Sequence, residues 1–510
     1  MADFTREEVE IKLAEIAAAL EAEEAEEEFV EEIEVIEEVE ETDAEDGEEP
    51  PTDTDTEGSS EEVVTAEEEE IEEEPENFPL KGCDLSGLDL SDLNFYRTNM
   101  SETNLTGANL SGTDLSGVTM ERAILKGADL TDANLTDAIM PYADLVQARL
   151  EDANLERAVL SYADLSEATL DRANLRRSKF IEANLTGSQL NEASFEYAEF
   201  SRATLRGAKI VESDLSRAKF NGANLQEVDF TDSRLSMGVF FEANFTKAIL
   251  NRAKIKGAKL VGVDFTEASM PRADFTNADL TEAKIHNADL TRANLNGCIL
   301  RRTHLENSNL MEANLNIADL TGANLVNVNL SGADLGRIKL KGAKLNGASL
   351  SKANLKKAKL NDVELVQADL SGAHLVGVDL TNAKLEGADL SRADLTEAIM
   401  EGADLKNAFL TGAVIQNANL TGANLEGADM AGTKLLKSDL TRANLKGADL
   451  RRADLEHANL SHADFSHAKL TGSKLADANF TAANLTQADL THADVTDTDF
   501  SDATGYQPKT

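Results

Sequence analysis

From Leu85 to Phe500 every fifth residue is Leu, Ile, Met, Phe or Val, with no insertion or deletion in between. The position two residues before each of these centres is small in most units, and usually Ala. Thr106–Leu110, Thr321–Leu325 and Thr421–Leu425 all read Thr-Gly-Ala-Asn-Leu. A fixed short period carried over so many residues predicts a solenoid, whatever the number of domains that chain length alone would imply. Five is not a helical period. Within a unit, however, the Ala and the centre are two apart, so on a short extended stretch both side chains face inward and the residue between them, such as Asp129 or Asn134, faces out.

The two remaining residues of each unit must turn the chain. Most of the 31 glycines fall at the second position after a centre, as Gly87, Gly107 and Gly127 do, where a type II turn needs positive φ. Pro141 and Pro271 occupy the position before it, which suits the fixed φ of proline.

The unit Ala-Asp/Asn-Leu-x-x closely resembles that of the pentapeptide repeat family, and the match runs from residue 83 to residue 502. The resemblance implies an all-β solenoid, a right-handed quadrilateral β-helix with four units per coil and about 21 coils, roughly 100 Å long at strand spacing. Like residues recurring at intervals of 20 agree with that coil. Phe180, Phe200, Phe220 and Phe240 would stack on one face, as would Met100, Met120 and Met140, with Asn287, Asn307 and Asn327 stacked outside. The expected organisation is an acidic amphipathic helical segment over 1–42, an acidic disordered linker over 43–77, the β-helix over 78–505 and a tail over 506–510.

Residues 1–80 contain Arg6 and Lys12 as their only basic residues. Thr5 with Glu8 forms a capping box and Phe4 with Val9 a hydrophobic staple. Val9, Leu13, Ile16 and Leu20 continue a helical stripe that Phe29, Ile33 and Ile36 resume. Residues 43–77, rich in Pro, Asp, Glu, Thr and Ser, read as disordered linker. The leader is then either a solubilising acidic tail or a helix that docks on a partner or on itself. At the first coil, Leu88 and Leu93 stand where Ala is usual, with Phe78 and Phe95 nearby, and are expected to plug the open end. At the last, the centre is lost after Phe500 and only Tyr506 and Pro508 follow, which leaves that end under-capped and open to self-association.

The formal net charge is −47, but the rod itself reads acidic over 81–170, basic over 171–360 and acidic again over 361–510. Its strongest basic stretch holds Arg337, Lys339, Lys341, Lys344, Lys352, Lys356, Lys357 and Lys359 with no acid among them. It is either a solvated surface or a docking site for an anionic partner, with the leader as the nearest anion. The patch lies about 13 coils from the start, roughly 60 Å. A linker of about 35 residues has an r.m.s. reach near 30 Å, so contact in cis needs an extended leader.

Catalytic chemistry is not expected, because the repeat leaves no loop to build a concave pocket. No catalytic, cofactor or metal residues are assigned. Cys83 and Cys298 sit at the inward small position and read as Ala substitutes, consistent with a reducing compartment. His457, His462 and His467 fall five apart and would point to different corners of a square coil, which argues against a shared metal. The acidic start does not resemble a signal peptide and no segment is apolar enough to span a membrane, so a cytoplasmic protein is expected. Net charge and the scarcity of exposed aromatics argue against direct nucleic-acid binding. The leading reading is a non-enzymatic scaffold that presents a long rigid rod to a protein partner. The alternative comes from the family resemblance, some of whose members mimic DNA and bind type II topoisomerases such as gyrase. Against it stand the length of this rod, its basic centre and the absence of a C-terminal dimerising helix.

Overall fold

The computed structural model describes residues 2–38 and 80–506, with helical side chains described through residue 22. The linker proposed over 43–77, Phe78, and the side chains of Phe29, Ile33 and Ile36 lie outside the described residues.

From residue 80 onward the chain repeats one local structure, a one-residue parallel bridge followed by a turn. Each bridge joins a residue to the one 20 further on, beginning with Asp84 to Asn104 and ending with Asn484 to Thr504. The coil is therefore four five-residue units, and the units of interior coils hydrogen-bond to the coil before and the coil after. In one unit, the Asn104 N–H donates to the Cys83 carbonyl at 2.9 Å, and the Leu105 and Gly107 N–H groups donate to the Ile124 and Lys126 carbonyls at 2.7 and 2.9 Å. The two remaining N–H groups bond within the turn, that of Thr106 to Asn104 Oδ1 at 3.2 Å and that of Ala108 to the Leu105 carbonyl at 3.0 Å. This accounts for the backbone donors of a chain with almost no extended strand.

The second turn residue has positive φ whether or not it is glycine: Gly107 has 62°, Arg157 60° and His462 62°. One positive φ per turn, at that position, is the type II geometry. A non-glycine residue there costs about 1–2 kcal/mol, offset by the hydrogen bonds that the turn brings into register.

Asp and Asn recur between Ala and Leu for a reason that lies in the next turn. Their Oδ1 accepts the N–H two residues on, as in Thr131 N–H to Asp129 Oδ1 at 3.1 Å, and the Thr131 hydroxyl adds a second bond at 2.6 Å. This is an Asx turn repeated at corner after corner. Where two such residues stack one coil apart they also bond to each other, Asn174 Nδ2 donating to Asn154 Oδ1 at 2.9 Å.

The interior is filled by the centres and the small residues, which are almost all buried. The expected Phe stack forms, with centroids 4.8 Å apart for Phe180–Phe200 and Phe200–Phe220 and 5.3 Å for Phe220–Phe240. Polar residues at the small position pair with a backbone carbonyl: the Thr103 hydroxyl donates to the Leu80 carbonyl at 2.9 Å and the Cys298 thiol to that of Phe275 at 2.8 Å. Cys298 is buried as expected, whereas Cys83 is only half-buried.

The leader begins with helix α1, Arg6–Glu38. Its capping box forms, the Thr5 N–H donating to Glu8 Oε2 at 2.7 Å. Its apolar stripe covers the first coil: Val9 and Leu13 are buried in the same core as the rod, and Phe4, Ile16, Cys83, Leu88 and Leu93 pack against that core. Arg6 donates from Nη1 and Nη2 to the Asp89 and Ser91 carbonyls at 3.2 and 3.0 Å. Leu88 and Leu93, expected to plug this end, pack against the core beneath the helix. These two remain half-exposed, and the helix supplies the cover. At the far end, Tyr506 stacks on Phe500 at 3.8 Å, while Val495 stays 37% exposed.

Candidate docking surface

The 20-residue coil decides which of the eight basic residues are neighbours. Arg337 and Lys357 occupy the same turn position on adjacent coils, with φ of 55° and 56°, and the Arg337 N–H donates to the Lys356 carbonyl at 3.0 Å. Lys339 and Lys359 are bridged directly. Arg337, Lys339, Lys356, Lys357 and Lys359 therefore share one corner of the rod. Lys341 and Lys344 belong to the following units, and Lys352, with φ 57°, to a corner further round. What reads as one run in the sequence is wound around the rod.

Gly336 gives that corner its shape. With no side chain between Asn316 below and Lys356 above, it opens a shallow groove of about 430 Å³ bordered by Asn316, Gly336, Arg337, Asn354, Lys356 and Lys357.

The cations of this corner differ from a set of paired arginines elsewhere on the rod. At the same turn position, Arg157 makes a two-pronged contact with Asp137 one coil away, Nε to Oδ1 at 2.7 Å and Nη2 to Oδ2 at 2.6 Å. Arg172 pairs with Asp152 in the same way, and Arg202 and Arg302 each place Nε and Nη2 on one oxygen, Oε1 of Glu182 and of Glu282. The guanidinium hydrogen bonds hold the Asp137 and Asp152 carboxyls below their ordinary range and raise the arginines above theirs. Of the eight residues, Lys339 approaches Asp319 at 3.9 Å. Lys344 faces Glu364 across a bridge, although Glu364 is held low first by its hydrogen bond from Lys384. Among the described residues, Arg337, Lys341, Lys352, Lys356, Lys357 and Lys359 make no ion pair.

The candidate contact between the acidic leader and this patch falls on residues 39–79, which lie outside the described residues. Residues 3–16 dock on the first coil, by apolar packing and by the hydrogen bonds of Asp3 and Arg6. His457, His462 and His467 occupy three successive turns with φ of 56°, 62° and 62°, and His457 faces Asp477 at 3.6 Å. A second groove, of about 400 Å³, lies where Leu13, Ala17 and Leu20 of α1 pass Leu93, Tyr96 and Thr98. No described helix is long and apolar enough to cross a membrane.

The model described as pentapeptide repeats (8 copies) matches in overlapping segments from 80–117 to 113–152 and from 239–266 to 463–502, and that described as a pentapeptide repeat region matches 153–230. No curated protein matches the chain in sequence. Among solved structures, HetL, a pentapeptide repeat protein involved in heterocyst differentiation regulation from the cyanobacterium Nostoc sp. strain PCC 7120, is 35% identical over 44% of this chain and 89% of its own, with a TM-score of 0.20. QnrB1, a plasmid-mediated fluoroquinolone resistance protein, is 22% identical over 39% of this chain and 91% of its own, with a TM-score of 0.25. A pentapeptide repeat protein of the Arabidopsis thaliana thylakoid lumen is 30% identical over 17% of this chain and 59% of its own, with a TM-score of 0.13. With family models matching well over half its length, the chain belongs to the pentapeptide repeat family, whose fold is the right-handed quadrilateral β-helix.

Proposed function

We propose that this protein is a non-enzymatic cytoplasmic scaffold, a rigid rod of about 21 coils and roughly 100 Å, whose basic corner docks an acidic protein surface. The observation that carries this reading is the contrast in pairing. Several arginines at the same turn position elsewhere on the rod are paired one coil away, whereas Arg337, Lys356, Lys357 and Lys359 are grouped around the groove at Gly336 with no ion pair among the described residues. Unpaired cations grouped on a rigid support attract an anionic partner and speed its association. The acidity of the whole chain favours the DNA-mimic reading, but a duplex mimic gains nothing from a cationic corner.

The test is affinity capture from cell lysate with the full chain and with its Lys356→Glu/Lys357→Glu/Lys359→Glu variant. An acidic protein retained by the first and lost by the second supports docking at this corner. Retention of gyrase by both would instead support topoisomerase mimicry.

A further inference from the structure

The 20-residue coil also brings together three donors that sequence spacing keeps apart. His304 and Glu306 flank the buried centre Leu305, His304 on the bridge and Glu306 in the turn. His286 stands in the same turn position one coil earlier. One ligand atom from each of the three lies within 4.8 Å of those from the other two. His286 Nδ1 is 2.9 Å from Glu306 Oε2, and His304 Nδ1 is 3.3 Å from Glu306 Oε1. The two imidazole rings are 5.5 Å apart.

We propose that His286, His304 and Glu306 form a binding site for a divalent transition-metal ion of the zinc class.

The Glu306 carboxylate is only 19% exposed. Its Oε1 accepts a hydrogen bond from Asn324 Nδ2 on the next coil, which fixes the carboxylate plane. Its Oε2 is buried and receives no hydrogen bond, although His286 Nδ1 lies beside it. At that distance the two atoms can share either a proton or a metal ion, and an ion bound to both would satisfy the buried oxygen. Ligands at about 2.0–2.1 Å from a tetrahedral zinc stand roughly 3.3 Å apart, close to the nitrogen–oxygen separations of 2.9 and 3.3 Å here. The backbone under all three donors belongs to the ladder: the carbonyls of His304, Glu306 and His286 accept from Ile285, Asn287 and Glu267 at 2.6, 3.1 and 2.9 Å. The donors are therefore held before any ion arrives. Lys284, bridged to His304, is the opposing charge, and it is exposed enough to swing away. Two imidazoles and a carboxylate suit zinc better than calcium or magnesium, which prefer oxygen. Three protein donors leave a fourth position for water or for a donor from a partner.

The experiment is calorimetric titration of the full chain with Zn²⁺, repeated on His286→Ala, His304→Ala, Glu306→Gln and, as a control, His457→Ala. One tight site per chain is expected, weakened roughly tenfold or more by each of the first three changes and unchanged in the control. Circular dichroism checks that the variants keep the wild-type fold, as expected for side chains outside the core. Equal zinc binding by wild type and the three site variants would overturn the proposal and leave the cluster as a proton-sharing pair.

Discussion

Asp3 and Asp84 exchange two hydrogen bonds: the Asp3 N–H donates to the Asp84 carbonyl at 2.7 Å, and the Asp84 N–H donates to Asp3 Oδ2 at 2.8 Å. They occupy the backbone edge that the first coil would otherwise expose, and they place α1 over the core. An open edge above an apolar cross-section is a template for association. The start of the acidic leader is therefore a structural cap.

Leu13→Asp should undock α1, since it puts an unpaired carboxylate in an apolar contact at a cost of several kcal/mol. Cys83 reports the event. Burial raises its thiol pKa in the docked state, so alkylation at pH 8 should be slow in the wild type and faster in the variant. Cys298, pushed up to about 12 by burial, should stay unmodified in both. An unchanged Cys83 rate would mean that the helix does not cover the first coil.

The core and the basic corner should respond oppositely to charge. Leu335 is 1% exposed, and Leu335→Asp should break the rod locally at several kcal/mol or more. Phe220→Ala, in the middle of the aromatic stack, should cost about 3–5 kcal/mol. The Lys356, Lys357 and Lys359 reversal should leave thermal unfolding nearly unchanged. Unfolding of that triple variant would contradict its placement on the surface.

Ile317 is a β-branched residue held at φ 56° and 49% exposed. Asn tolerates that conformation far better. Ile317→Asn should raise stability by about 1 kcal/mol, read as a shift in the denaturation midpoint.

How much of this was legible depends on whether a feature closes within one unit or across coils. The Leu, the Ala and the turn glycine lie within a unit, so the period alone placed the centres, the inward pair and the positive φ correctly. The capping box at Thr5 and the stripe through Val9, Leu13 and Ile16 also announced a helix. A stripe shows that a face is covered and not what covers it. Leu88 and Leu93, breaking the Ala rule, were the other half of that contact. The Asx turns were visible only as a preference for Asp and Asn, because the acceptor role depends on turn geometry. His286 lies 18 residues from His304 and 20 from Glu306, intervals that acquire meaning only once 20 residues make a coil. The grouping within the basic run was hidden for the same reason: consecutive residues are wound onto different faces.

Acid should loosen the rod. Asp137 is held low by its hydrogen bonds from Arg157, and Asp494 and Asp499 by those from Thr496 and Ser501. A folded-state pKa below the unfolded value contributes stability that is present above the unfolded value, about 3.9, and is lost as pH falls through the lowered one. The melting temperature should be level from pH 7 to about 5 and fall below about 4. A melting temperature that rises on acidification would reverse the sign of this account.

The most direct test of the scaffold reading is cross-linking of the full chain in native lysate, with lysine cross-links located by mass spectrometry. The account predicts partner cross-links concentrated at Lys356, Lys357, Lys359 and their neighbour Lys341. Cross-links spread evenly over the exposed lysines, or gathered on the acidic stretches at either end of the rod, would contradict it.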